Sequence, residues 1–149
     1  MRNDDRRRLT NQELIRRISE TQVEEMFARH HDVATMYFCE SEDGDRWIAA
    51  PVDDLVDRFR QAEVRQYLFI DHGWVAPGGD VVRRDQIKKH PEAFEAVLFK
   101  AEDETGIVRG YRRIHRRPPS LGPLDIDTPL EIAMDEPLLT GNYHDRTFH

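Results

Sequence analysis

The chain has 149 residues, 38% hydrophobic and 34% charged, with a net charge of −7 and a single cysteine, Cys39. That suits one domain with a core of its own, and it excludes a disulfide scaffold. No apolar run approaches the roughly 20 residues of a membrane-spanning helix. The amino-terminal MRNDDRRR has no apolar stretch behind it, so no secretory signal is read and a cytoplasmic location is the expectation. Nineteen arginines against three lysines point to a GC-rich genome, bacterial or phage.

Residues 1–9 read as a flexible basic arm. Thr10 with Glu13 makes a capping-box pattern, followed by a broad, drifting stripe of Leu14, Ile15, Ile18, Val23, Met26 and Phe27. One helix to about Arg29, or two meeting near Ser19–Thr21, would satisfy it. Val33–Cys39 and Arg46–Ala50 are β-rich and joined across Asp43-Gly44, a hairpin signal. Pro51 predicts the first turn of an amphipathic helix, with Val52, Leu55, Val56, Phe59 and Ala62 on one narrow arc.

Tyr67–Ile70 has the apolar run of a central strand and leads into Asp71-His72-Gly73-Trp74. A turn at Pro77–Asp80 and a short helix from Asp85 to about Lys89 come next. Residues 95–102 and 107–117 read as two strands joined through a turn with Gly106 in the left-handed region, a helix over 91–100 being the alternative. Pro118–Pro123 reads as a stiff connection. Beyond it, Leu124, Ile126, Thr128, Leu130, Ile132 and Met134 alternate with Asp125, Asp127, Glu131 and Asp135, as in a half-buried edge strand. Residues 10–140 therefore form one α+β domain: a mainly antiparallel sheet of about five to six strands, with helices packed on one face. A loose tail, 141–149, closes the chain.

Charge is unevenly spread. Residues 18–57 hold eleven acids against Arg29 and Arg46, a local −9, whereas residues 81–117 carry a local +4. Such a chain can offer an acidic face to a basic partner or steer an anion to its other end. If residues 107–117 are a strand, Arg109, Tyr111, Arg113, His115 and Arg117 share one face. Arginine forks suit phosphate, and a histidine can move a proton. The simpler explanation is that these arginines meet Asp125, Asp127, Glu131 and Asp135 across strands.

Asp71 could orient His72 as a base, although Asp and Gly are also common turn residues. His30-His31-Asp32 and His144-Asp145 are the best histidine clusters, yet no metal-binding spacing, P-loop or dinucleotide fingerprint occurs, and no metal or cofactor is expected. Cys39 beside Glu40 reads as a packed thiol rather than a nucleophile.

Two functions fit. The first is a small acidic interaction protein, such as an accessory subunit, inhibitor or immunity-type factor. It would bind a basic protein surface through Glu40, Glu42, Asp43 and Asp45, with Trp47 and Trp74 as anchors. The second is a phosphate-handling enzyme such as a ribonuclease. Arg109, Tyr111, Arg113 and Arg117 would hold phosphate, His115 would act as acid or base, and Asp71 with His72 would complete the site. The acidic net charge argues against nucleic acid as a partner without excluding it. The first reading is preferred.

Overall fold

The computed structural model describes residues 8–126 together with Leu138 and Leu139. The chain enters its first helix at Thr10. Its hydroxyl accepts from the Glu13 N–H at 3.1 Å, and the Glu13 carboxylate accepts from the Thr10 N–H at 2.9 Å. Helix α1 (Asn11–Ile18) continues into α2 (Glu24–His30) through a π-helical turn, Ser19–Val23. A π turn inserts one residue into the helical repeat. That re-phasing explains the drifting stripe: Ile15, Ile18, Val23 and Phe27 are all buried.

Seven strands follow: β1 (Met36–Ser41), β2 (Arg46–Ala49), β3 (Val64–Val75), β4 (Val81–Val82), β5 (Phe94–Asp103), β6 (Gly106–Arg116) and β7 (Pro119–Asp125). They form the single antiparallel sheet that the sequence predicts, in the order β2-β1-β3-β5-β6-β7, with β4 beside the end of β3. Helix α3 (Leu55–Gln61) and a 3-10 helix, Arg84–Lys89, lie between strands. Residues 95–102 are strand, not helix.

Alternation along the strands sorts side chains into two layers. Leu68, Ile70, Val97, Phe99, Ala101 and Ile114 face α1 and α2 and make the principal core with them. On the other face, α3 sets Leu55 and Phe59 against Tyr37, Cys39 and Tyr67. The Phe59 and Tyr37 rings meet edge to face at 5.6 Å. Leu139, fully buried, closes this smaller core, and the Glu102 carboxylate accepts from the Leu138 N–H at 2.8 Å and the Tyr67 hydroxyl at 2.8 Å.

Several local expectations change. Strand β3 runs on through Asp71, His72, Gly73 and Trp74, so these residues lie in the sheet and not in a loop after it. The stretch read as a connection, 118–123, is mostly β7. Prolines are tolerated there because, among the described residues, β7 has β6 alone as a strand neighbour and its outer edge serves no ladder. The acidic alternation at Asp127, Glu131 and Asp135, like the tail with His144 and Asp145, lies outside the described residues. Arg8 and Leu9, expected in the arm, touch the body: Arg8 donates to the Glu42 carbonyl at 3.2 Å, and the Leu9 carbonyl accepts from Gln66 at 3.0 Å. Helix α3 starts at Leu55, and of its expected arc only Leu55 and Phe59 are buried, while Val52 and Val56 stand 42% and 41% exposed. Leu55 and Phe59 pack on Tyr37, Cys39 and Tyr67 of β1 and β3, while Val52, Val56 and Ala62 stay exposed.

Candidate functional site

The β1–β2 hairpin gathers most of the acidic and aromatic residues singled out in the sequence. Its turn is tight: the Gly44 N–H donates to the Ser41 carbonyl at 3.0 Å, and the Ser41 N–H donates to the Asp45 carbonyl at 2.9 Å. Gly44 takes φ 92°, which glycine adopts without strain. Asp43 and Asp45 are exposed at the tip, beside a half-buried Glu42. Glu40 faces inward to two arginines, bonding Arg46 at 2.8 Å and the buried Arg65 at 2.6 Å. It organises the hairpin and is not available to a partner.

Strand β2 is the end of the sheet, and β1 is its one strand neighbour among the described residues. Of the three large apolar side chains exposed among the described residues, two lie here: Ile48, at 61%, on β2 itself, and Val52 in the groove beside it. A groove of about 350 Å³ separates β2 from α1, lined by Leu14, Arg17, Ile18, Phe38 and Ile48. On the other side of the strand, Trp47, Ala49, Val52, Leu55 and Phe59 line a second groove of about 540 Å³. Helices α1 and α2 pack mainly over β3, β5, β6 and β7, and among the described residues they touch the β1–β2 end of that face only through the margin at Met36 and Phe38. Cys39, opposite Trp47 in the hairpin, is buried, and burial pushes its thiol up to about 12.

The other tryptophan is elsewhere. Trp74 pairs with Val82 on β4 and Glu95 on β5, well away from the acidic tip. It lines a cavity of about 850 Å³ with Phe69, Asp71, Arg84, Leu98 and Lys100, whose charges are of both signs.

In β6, Arg109, Tyr111, Arg113 and His115 share the face away from α1 and α2, as alternation requires. Arg117 lies past the strand's end. The carboxylate expected opposite this face is partly in place. Asp125 pairs across from Tyr111 and hydrogen-bonds its phenol, whose pKa rises through burial and then through that carboxylate. The Arg113 guanidinium stacks 4.6 Å above the Phe94 ring. The intervening arginines face the helices and are held there. Arg112 is nearly buried and donates to the Gly122 carbonyl at 2.7 Å and the Ser19 carbonyl at 3.0 Å, with Glu24 at 2.5 Å. It thereby satisfies a carbonyl of the π turn.

Asp71 and His72 point to opposite faces. The Asp71 carboxylate accepts from the Thr35 hydroxyl at 2.6 Å and the His72 backbone N–H at 2.9 Å. The His72 imidazole instead meets Glu95 at 2.5 Å, and Arg116 clamps the same carboxylate at 2.7 and 2.5 Å while donating to the His31 carbonyl at 2.5 Å. Hydrogen bonds from Arg116, then from His72, hold the Glu95 carboxyl below the usual carboxylate range. His115 is on the face opposite His72. Asp71 shares the face of His115 but sits two strands across and about four residues along, on the order of 15 Å away by strand geometry. The groups of the enzymatic reading are therefore not assembled into one site.

Sequence reading missed Glu95, Arg116 and Thr35 as partners of this pair, because their proximity follows from strand register alone. It also missed Ile48, whose exposure depends on β2 being an edge. Among the described residues no three His, Cys, Asp or Glu side chains converge in a geometry that could hold a metal ion, and no described helix is long and apolar enough to cross a membrane. No protein-family model, curated protein or solved structure matches this chain.

Proposed function

We propose that this chain acts by binding another protein, one with a basic surface, through the β1–β2 hairpin and the sheet edge behind it. The observation that carries this reading is a coincidence of place. Ile48, the most exposed large apolar side chain among the described residues, lies on the strand that leads out of the acidic tip of Glu42, Asp43 and Asp45, and exposed Val52 lines the groove on that strand's other side. Apolar surface rimmed by charge is a usual mark of an interaction site, and complementary charge speeds encounter. An accessory subunit, an inhibitor or an immunity-type factor would all use such a surface. Glu40, Trp74 and the arginine strand take no part in it, the first being committed internally.

The test is capture of partners from the native host's lysate on the parent and on Ile48→Asp, at about 0.05 and 0.3 M salt, a span over which screening changes substantially. The reading predicts a stoichiometric protein partner, held less well at the higher salt and lost from Ile48→Asp. Identical capture by parent and variant, or retention of RNA alone, would overturn it.

A further inference from the structure

Antiparallel pairing makes neighbouring residues alternate in where their backbone groups point. The bond from the Ser41 N–H to the Asp45 carbonyl sets that alternation for β2. With Cys39 opposite Trp47 and Tyr37 opposite Ala49, the backbone groups of Trp47 and Ala49 turn inward to β1. Those of Arg46 and Ile48 turn outward. The outer edge therefore offers two N–H donors and two carbonyl acceptors in strand geometry, with an apolar groove on either side.

Native edges are normally blunted by lysine, proline, a bulge or a covering loop. β2 is short, four residues from Arg46 to Ala49 with Pro51 after it, but its centre, Trp47-Ile48-Ala49, has neither charge nor proline and its register with β1 is unbroken. We infer that β2 is a template on which an extended segment of the partner adds as a further strand of the sheet. This inference rests on the docking function proposed above and gives its mode.

The surroundings define the segment's chemistry. Side chains of an added strand alternate between the two faces. On one face they enter the groove of Leu14, Ile18, Phe38 and Ile48. On the other they enter the groove of Trp47, Ala49, Val52 and Phe59. Beside Ile48 and Ala49 both call for apolar residues, although Arg17, Glu40 and Arg46 also line the first groove and Arg58 the second. At the turn end the added strand passes Asp43 and Asp45, which call for lysine or arginine. A second copy of this chain is a poor occupant. Its own β2 would bring another acidic hairpin, and Asp53 and Asp54 after it, against a molecule already at −7.

A short capped peptide of valines flanked by lysines at one end is a direct probe, with a glutamate-flanked peptide as its counterpart. Amide hydrogen exchange and fluorescence titration are read on the whole chain. The lysine peptide should bind, should protect the Arg46 and Ile48 amides from exchange, and should leave Trp47 and Ala49 as they were. The glutamate peptide should bind at least about tenfold more weakly.

Ile48→Pro deletes the outward N–H while sparing the bonds to β1, and Ile48→Ala deletes only the side chain. Binding should fall about tenfold further in the proline variant than in the alanine variant, the share of one lost hydrogen bond. Unchanged exchange at Arg46 and Ile48 with peptide bound would overturn strand addition, and so would no binding, or equal losses in the two variants. Partner capture that still depends on Ile48 would then leave the docking function standing with another mode. Loss of both would remove the function as well.

Discussion

The hairpin at residues 40–47 and the strand at residues 106–117 carry dense charge of opposite sign, and the fold treats them differently. In β6 the charge is largely answered from within. Arg112 reaches Ser19, Gly122 and Glu24, Arg116 reaches Glu95 and His31, Arg113 lies on Phe94, and Asp125 faces Tyr111. In the hairpin, Glu40 is answered by Arg46 and Arg65, while Asp43 and Asp45 stand exposed near Ile48. A run of charge in a sequence is therefore ambiguous. Whether it builds the fold or meets a partner depends on which face each residue takes and on where its strand sits in the sheet.

Two neighbours in β6 sharpen that difference most. Arg112→Met leaves buried carbonyls at Ser19 and Gly122 without their donor and strands Glu24, and should cost roughly 3 kcal/mol of stability in urea unfolding. Arg113→Met, one residue away on the other face, should cost well under about 1 kcal/mol, since it loses only a surface stack on Phe94. Equal costs would mean that the strand's arginines are not divided between structure and surface as described.

A smaller effect is expected at Glu95. Its folded pKa is below that of an unfolded glutamate, so its stabilising contribution is complete above about pH 4.3 and is lost as pH falls through the lower folded value. Glu95→Gln should cost on the order of 1 kcal/mol at pH 7 and flatten stability against pH across that acid window. A variant with the parent's acid slope would show that the Arg116 clamp does not hold the carboxylate in solution.

Much of the scaffold could be read locally. The Thr10–Glu13 box, the Asp43-Gly44 hairpin, and the β5–β6 pair each depend on residues close together in the chain, and each forms. What escaped reading depends on residues far apart. The π turn is matched by Arg112, 93 positions from Ser19, and Glu95 meets His72 because two strands pair in one particular register. The exposure of Ile48, Val52 and Val56 was equally hidden. Alternation and helical arcs predict a buried side for each element, but not whether the neighbour needed to cover it exists. β2 has one strand neighbour among the described residues, and α3 packs on Tyr37 and Tyr67 of β1 and β3 through Leu55 and Phe59, so part of each apolar stripe stays exposed. The acidic tip was legible as charge, whereas its alliance with an uncovered edge was not.

The most direct test measures association of the captured partner with two variants side by side, at low and moderate salt. One has Glu42, Asp43 and Asp45 changed to Gln, Asn and Asn, and the other has Arg113 and His115 changed to alanine. If the hairpin is the docking surface, the first variant associates about tenfold more slowly at low salt and loses most of its salt dependence, while the second matches the parent. If instead the arginine-strand variant slows and the hairpin variant does not, binding runs through the opposite end of the sheet and the account is contradicted.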